Sequence, residues 1–127
     1  MKTVNSNPRR CHLCLLPIPP EITSASHPLL GTIDHVVPLS KGGVKLVSNR
    51  APAHRICNAI KGNMWPLPMQ KRLIMVDTIV RQFGLRKTII TREKIAKIKR
   101  TIRMESSAKP DLVAAKRVIA WSLDGLS

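Results

Sequence analysis

Four soft metal ligands, arranged in two pairs, constrain this chain more than any other feature. Cys11 and Cys14 form C-x-x-C, and His54 and Cys57 form H-x-x-C. A two-residue spacer lets both side chains of a pair turn to one ion, and two such pairs make the tetrahedral set of a structural zinc site. The chain has three cysteines. An odd number without a secretion signal argues against a disulfide framework. His12, inside the first pair, is a spare ligand, weaker because it adjoins Cys11. The bland alternative is a buried Cys57, an incidental C-x-x-C and a surface His54; it leaves the pairing of four ligands unexplained.

Between the pairs lie 39 residues, where a short zinc finger encloses about 12–20. A larger unit is therefore inserted. Residues 15–28 read as irregular and proline-rich. Residues 29–37 predict a short strand, with Thr32, Ile33, Val36 and Val37 as β-formers. Residues 38–43 form a loop with Gly42-Gly43 as its turn signal. Residues 44–47 offer a second short strand, and Pro52 is tolerated in a first helical turn. Residues 54–61 predict a helix that Gly62-Asn63 stops. Zinc would clamp the start of this unit to its helix and contribute much of the folding free energy.

The charge is one-sided: 22 Lys and Arg against 7 Asp and Glu in 127 residues, a formal +15. That balance calls for a polyanion, a nucleic-acid phosphate backbone first and an anionic membrane surface second. With one Phe, two Trp and no Tyr, the chain lacks the rings on which single-strand binders stack bases. Duplex binding stays open. With 43% apolar residues and a mean hydropathy of −0.04, the chain is not a disordered tail. No run approaches the roughly 20 apolar residues of a membrane span. The N-terminus lacks the apolar core of a signal peptide, so a cytoplasmic protein is expected, with no membrane partner.

Inside the inserted unit, Asp34-His35 puts a carboxylate and an imidazole on opposite faces of the predicted strand. The run continues Val36-Val37-Pro38-Leu39-Ser40-Lys41-Gly42-Gly43. Asn49 follows, then Ala53-His54-Arg55-Ile56-Cys57-Asn58-Ala59-Ile60-Lys61-Gly62-Asn63. These separated motifs, in this order and spacing, resemble the HNH endonuclease family in its zinc-supported form. The resemblance covers residues 11–63, a little under half of the chain. It implies an α+β fold, a small zinc-stapled ββα-metal unit. It makes His35 the general base that activates a water, and Asp34 and Asn58 the holders of one divalent cation, Mg²⁺ or Mn²⁺. Asn49 becomes the central Asn that braces the catalytic loop and fixes the His backbone. Cys11, Cys14, His54 and Cys57 become the structural zinc ligands. Lys41 and Lys61 are assigned to DNA, Lys61 aimed at phosphate. The family's products carry 5′-phosphate and 3′-hydroxyl ends. Small proteins of this kind resemble free-standing phage enzymes, some linked to DNA packaging, and others are homing or restriction nucleases. The departures are His54, where many relatives have Cys, and the long proline-rich loop after Cys14.

The chemistry agrees with elementary requirements. Phosphodiester hydrolysis needs a nucleophile, charge neutralisation on the phosphoryl oxygens and help for the leaving group. A neutral imidazole suits the first task. A hard cation on carboxylate and amide oxygens suits the others, while thiolates select zinc. Each residue also has an ordinary use: Asp34 in a turn, His35 in a core, Asn49 as a helix cap, Lys61 at a helix C-terminus. Asn58 is harder to excuse, being a poor helix former in mid-helix.

Residues 1–64 are read as the nuclease unit and 65–127 as a basic helical extension. Residues 70–83 have helical spacing in Leu73, Val76, Ile79, Val80 and Phe83. Residues 91–104 carry Ile95, Ile98 and Ile102 on one stripe. Residues 110–123 carry Leu112, Ala115, Ile119 and Leu123 (or Trp121). The first unit has eight basic against two acidic residues, the extension fourteen against five. Arg92, Lys94, Lys97, Lys99, Arg100 and Arg103 almost lack acidic neighbours, unlike an ordinary solvated face. They are assigned to the DNA backbone. Two functions follow: a metal-dependent endonuclease on duplex DNA, or a non-catalytic zinc module that binds nucleic acid. The triple Asp34, His35 and Asn58 separates them, since a binding module has no need of it.

Overall fold

The computed structural model describes residues 9–83, Arg100, Leu112, Val113 and 115–117. Two antiparallel strands, β1 (Gly31–His35) and β2 (Arg50–His54), form the sheet. Helix α1 (Arg55–Lys61) follows β2 directly, and α2 (Met69–Phe83) comes after a short linker. The β1–β2 connection contains two 3-10 turns, Leu39–Lys41 and Val47–Asn49. No described helix is long and apolar enough to cross a membrane.

The first strand is the centre of the segment expected to be extended, but the second is not where residues 44–47 placed it. Leu46 and Val47 are exposed, at 61% and 74%. The carbonyl of Val44 accepts a bond from the Asn49 side chain instead of a partner strand. The true second strand is Arg-Ala-Pro-Ala-His, with Pro52 in its middle rather than in a helical turn. Register explains the tolerance. Pro52 lies opposite Ile33, and its carbonyl points away from β1 to accept the His12 N–H at 3.0 Å. Its missing N–H would have pointed the same way, so the ladder loses nothing. Ala51 and Ala53 share the sheet face of Asp34 and Thr32, and their small size lets α1 pack closely.

Helix α1 begins after His54, which gives no side-chain cap. Gly62 ends the helix at φ 56°. In α2 the buried residues are Arg72, Met75, Val76 and Ile79, while Leu73 is 38% exposed. Val76 and Ile79 of the expected stripe are buried and Val80 and Phe83 pack against the core, but Arg72 and Met75 take the place expected of Leu73. The Arg72 guanidinium donates to the carbonyls of His12 and Leu13 at 3.3 and 3.4 Å. Leu67, Met75, Val76 and Ile79 join Cys11, Leu13, Leu16, Ile18, Ala53 and Cys57 in one core. A second, smaller core holds Val36, Val37, Ala51 and Ala115, with Trp65 packed against it. Ala115 is therefore buried as its predicted stripe requires, whereas Leu112 on that stripe is 38% exposed. The predicted helix 91–104, apart from Arg100, and residues 110–123, apart from Leu112, Val113 and 115–117, lie outside the described residues.

Candidate metal centre and catalytic strand

The C-x-x-C segment is a tight knuckle. Leu15 N–H bonds the Cys11 carbonyl at 2.8 Å, and Cys11 N–H bonds the Leu16 carbonyl at 2.9 Å. The turn forces Leu15 to φ 69°, a region that non-glycine residues rarely enter. The N-terminus of α1 brings up the other pair. The ligand atoms of Cys11, Cys14, His54 and Cys57 all lie within 4.8 Å of one another, and all four residues are buried. None of the cysteines is in a disulfide.

His54 Nε2 donates to the Pro17 carbonyl at 2.8 Å. That bond fixes the tautomer and leaves Nδ1 as the ligand atom, 3.3 Å from Cys14 Sγ and 3.8 Å from Cys57 Sγ. The thiols share their protons unequally. Burial raises Cys11, but hydrogen bonds from Cys14, Cys57 and His54 outweigh it and hold the thiol well below its usual value. Burial and the Cys11 sulfur push Cys14 up. Cys57 is pushed up by Cys11 and Cys14 and by burial. Pressing three sulfurs together favours one negative charge and penalises the next, a conflict that a divalent cation removes. The donor set, three thiols and an imidazole with a second-shell carbonyl, fits zinc.

Strand β1 carries the second group of candidate residues. Asp34 pairs with Ala51 on the face toward α1, and His35 pairs with Arg50 on the outer face. Asp34 is 6% exposed. Its Oδ2 accepts from His12 Nε2 at 2.9 Å and lies 3.3 Å from Lys61 Nζ. Lys61 Nζ also donates to the His35 carbonyl at 3.1 Å. Lys61, expected to aim at phosphate, is thus 1% exposed and turned inward. Burial lowers its ammonium below the ordinary lysine value, and the Asp34 charge opposes that shift.

One helical turn before Lys61, Asn58 Nδ2 donates to Thr32 Oγ1 at 3.2 Å. Asn58 and Lys61 on α1 therefore face Thr32 and Asp34 on β1. With its nitrogen bound to Thr32, the amide oxygen of Asn58 is the atom left for a ligand. Carboxylate and amide oxygens on facing elements fit a hard divalent cation. The His35 imidazole is partly exposed.

Asn49 is fully buried. Its Oδ1 accepts the Val37 N–H at 2.8 Å, and its Nδ2 donates to the carbonyls of Val37 and Val44 at 2.9 and 3.0 Å. It braces the loop, but through Val37; the His35 carbonyl is held by Lys61. A Cβ on Gly43 would overlap the Val37 carbonyl and crowd Asn49 Nδ2, so only glycine fits beside this clamp.

Two members of the site escaped sequence reasoning. His12 serves Asp34 rather than the zinc quartet: both cysteines turn toward His54 and Cys57, and His12, next to Cys11, faces the strand. Arg72 pins α2 to the knuckle, and its signal, a basic residue one position off an apolar stripe, is weak. Lys41 and Arg100 are exposed. Arg92, Lys94, Lys97, Lys99 and Arg103 lie outside the described residues. Arg9, Ile33, Val47, Arg50, Ala51 and Pro52 line a groove of about 290 Å³.

Residues 11–64 match the family model described as HNH endonuclease, over a little under half of the chain. No curated protein and no solved structure matches the chain.

Proposed function

We propose that this protein, whose residues 11–64 match the HNH endonuclease family model, hydrolyses phosphodiester bonds of duplex DNA. The observation that carries the reading is the pairing of Asp34 on β1 with the Asn58 and Lys61 face of α1, beside a partly exposed His35. In this mechanism the His35 imidazole takes a proton from a water, whose oxygen attacks the phosphorus. The bond from phosphorus to the 3′-oxygen breaks and that oxygen takes a proton from solvent, leaving a 5′-phosphate and a 3′-hydroxyl. Asp34 and Asn58 would hold Mg²⁺ or Mn²⁺, which would supply neutralisation of phosphoryl charge and help for the leaving oxygen. Lys61 fixes the backbone of His35, and Asn49 fixes the strand exit two residues later. Arg9, Lys41 and Arg50, with the basic residues of the extension, supply phosphate contacts that hold the duplex.

The second reading, a non-catalytic zinc module, has one observation in its favour: the Lys61 ammonium already neutralises Asp34. A supercoiled-plasmid assay separates the two. Wild-type protein with Mg²⁺ or Mn²⁺ is expected to nick, and His35→Ala to lose nicking while still retarding DNA on a gel. A wild type that binds but never nicks with either metal supports the binding module, and His35→Ala nicking at the wild-type rate removes His35 from the mechanism.

A further inference from the structure

We propose that His12 is a positioning residue for the Asp34 carboxylate, holding it in the orientation a divalent cation requires. The role of Asp34 as an oxygen ligand rests on the nuclease reading above; the rest stands on geometry. The His12 backbone is fastened on both sides. Its N–H bonds the Pro52 carbonyl at 3.0 Å, and its own carbonyl accepts from Arg72 at 3.3 Å. With Cys11 and Cys14 turned to the zinc quartet, the imidazole projects the other way, into the interior, and is 1% exposed. Its Nε2 lies 2.9 Å from Asp34 Oδ2.

The tautomer follows from satisfaction. Ionised carboxylate oxygens only accept, so Nε2 carries the hydrogen. His12 Nδ1 is buried without a partner among the described residues. With Nε2 carrying the hydrogen, Nδ1 is the acceptor nitrogen of the neutral ring.

The bonds to Asp34 are not equivalent. His12 makes the short one. Lys61 reaches Oδ2 at 3.3 Å and Oδ1 at 3.4 Å, a longer, bridging contact from a flexible stem. The rigid ring on a rigid knuckle therefore sets the plane of the carboxylate, while Lys61 balances its charge. The zinc knuckle is by this route also a buttress of the catalytic strand. Loss of such outer partners weakens metal binding about 10–100-fold.

The test is Mn²⁺ affinity, read by electron paramagnetic resonance on the zinc-loaded full chain, for wild type, His12→Ala and His12→Gln. Zinc content and far-ultraviolet circular dichroism come first. His12→Ala is expected to weaken Mn²⁺ binding about 10–100-fold and to raise the Mn²⁺ needed for half-maximal nicking in step, with a smaller change in the saturated rate. His12→Gln, whose amide nitrogen reaches the place of Nε2, is expected to regain most of the affinity. Equal affinity in wild type and His12→Ala overturns the proposal. So does His12→Gln as weak as His12→Ala, which marks direct ligation. Should His12→Ala lose zinc, the ¹⁵N imidazole spectrum of the wild type decides: an Nε2–H tautomer is expected for His12, and an Nδ1–H tautomer refutes it. Because Mn²⁺ binding is read without cleavage, this pattern in an inactive protein sinks the nuclease reading alone. Normal cleavage with an unaffected His12→Ala sinks only the role of His12.

Discussion

Replacing Asn49 by alanine is expected to destabilise the fold by about 3–5 kcal/mol, because three backbone groups, two of them buried, lose their partner together. The Val37 N–H and the Val37 and Val44 carbonyls all bond this one side chain. An unmade buried hydrogen bond costs about 1–3 kcal/mol. The Val44 carbonyl, which is only part-buried, falls at the low end because water reaches it. The vacated volume adds a smaller cavity cost. Asn49→Asp should do no better: it keeps an acceptor for Val37 N–H but points an anion at two carbonyl oxygens. Urea denaturation of the zinc-loaded protein, followed by tryptophan emission, is the assay, since Trp65 packs against the Val36–Val37 cluster. A loss below about 1 kcal/mol, the scale of an ordinary surface change, would show that the loop is held by something other than this amide.

Three further outcomes follow from the same geometry. Cys57→Ala, or strong chelation of the wild type, should release zinc and unfold the knuckle and α1 together; retained metal by elemental analysis with an unchanged dichroism spectrum would refute the quartet. Gly43→Ala should cost about 1–3 kcal/mol by overpacking against Val37, seen as a lower Tm, with no loss expected from Gly42→Ala by contact because that glycine faces open space, only by its φ of 88°. The lowered Lys61 sets a pH dependence. Between its folded value and the ordinary 10.5 the unfolded chain binds more protons, so stability rises with pH through that window and is flat below it. Lys61→Met should remove that rise in urea titrations of zinc-loaded, Mg²⁺-free protein, and an unchanged slope would assign it elsewhere.

The parts legible in the sequence are those in which residue type and spacing meet one physical demand. The zinc quartet was visible because soft ligands two apart have few other uses, and β1, α1 and α2 because their periodicity and stops agree. Strand β2 was not visible. Ala-Pro-Ala carries no β signal, and the proline is permitted only because its nitrogen faces away from β1, a fact of register. The false strand at 44–47 fails for the complementary reason: its β-formers are real, but Asn49 takes the Val44 carbonyl that a partner strand would need. At the site, Asp34 and His35 on opposite faces followed from alternation alone. The inward turn of Lys61 did not, because it depends on a carboxylate 27 positions earlier. Arg72 and His12 stayed hidden for the same reason: each is explained by a tertiary partner.

The seam between α2 and the knuckle has a consequence for where this molecule can be cut. The family match ends at residue 64, but the core does not. Leu67, Met75, Val76 and Ile79 lie against the cysteine-bearing residues, and Arg72 is bonded to the His12 and Leu13 carbonyls. A chain shortened to the family match would present that apolar wall and those carbonyls to water. The stretch that matches the family model and the packed core are thus different lengths of chain. Limited proteolysis should keep α2 (Met69–Phe83) joined to the cysteine-bearing unit instead of cutting at Met64.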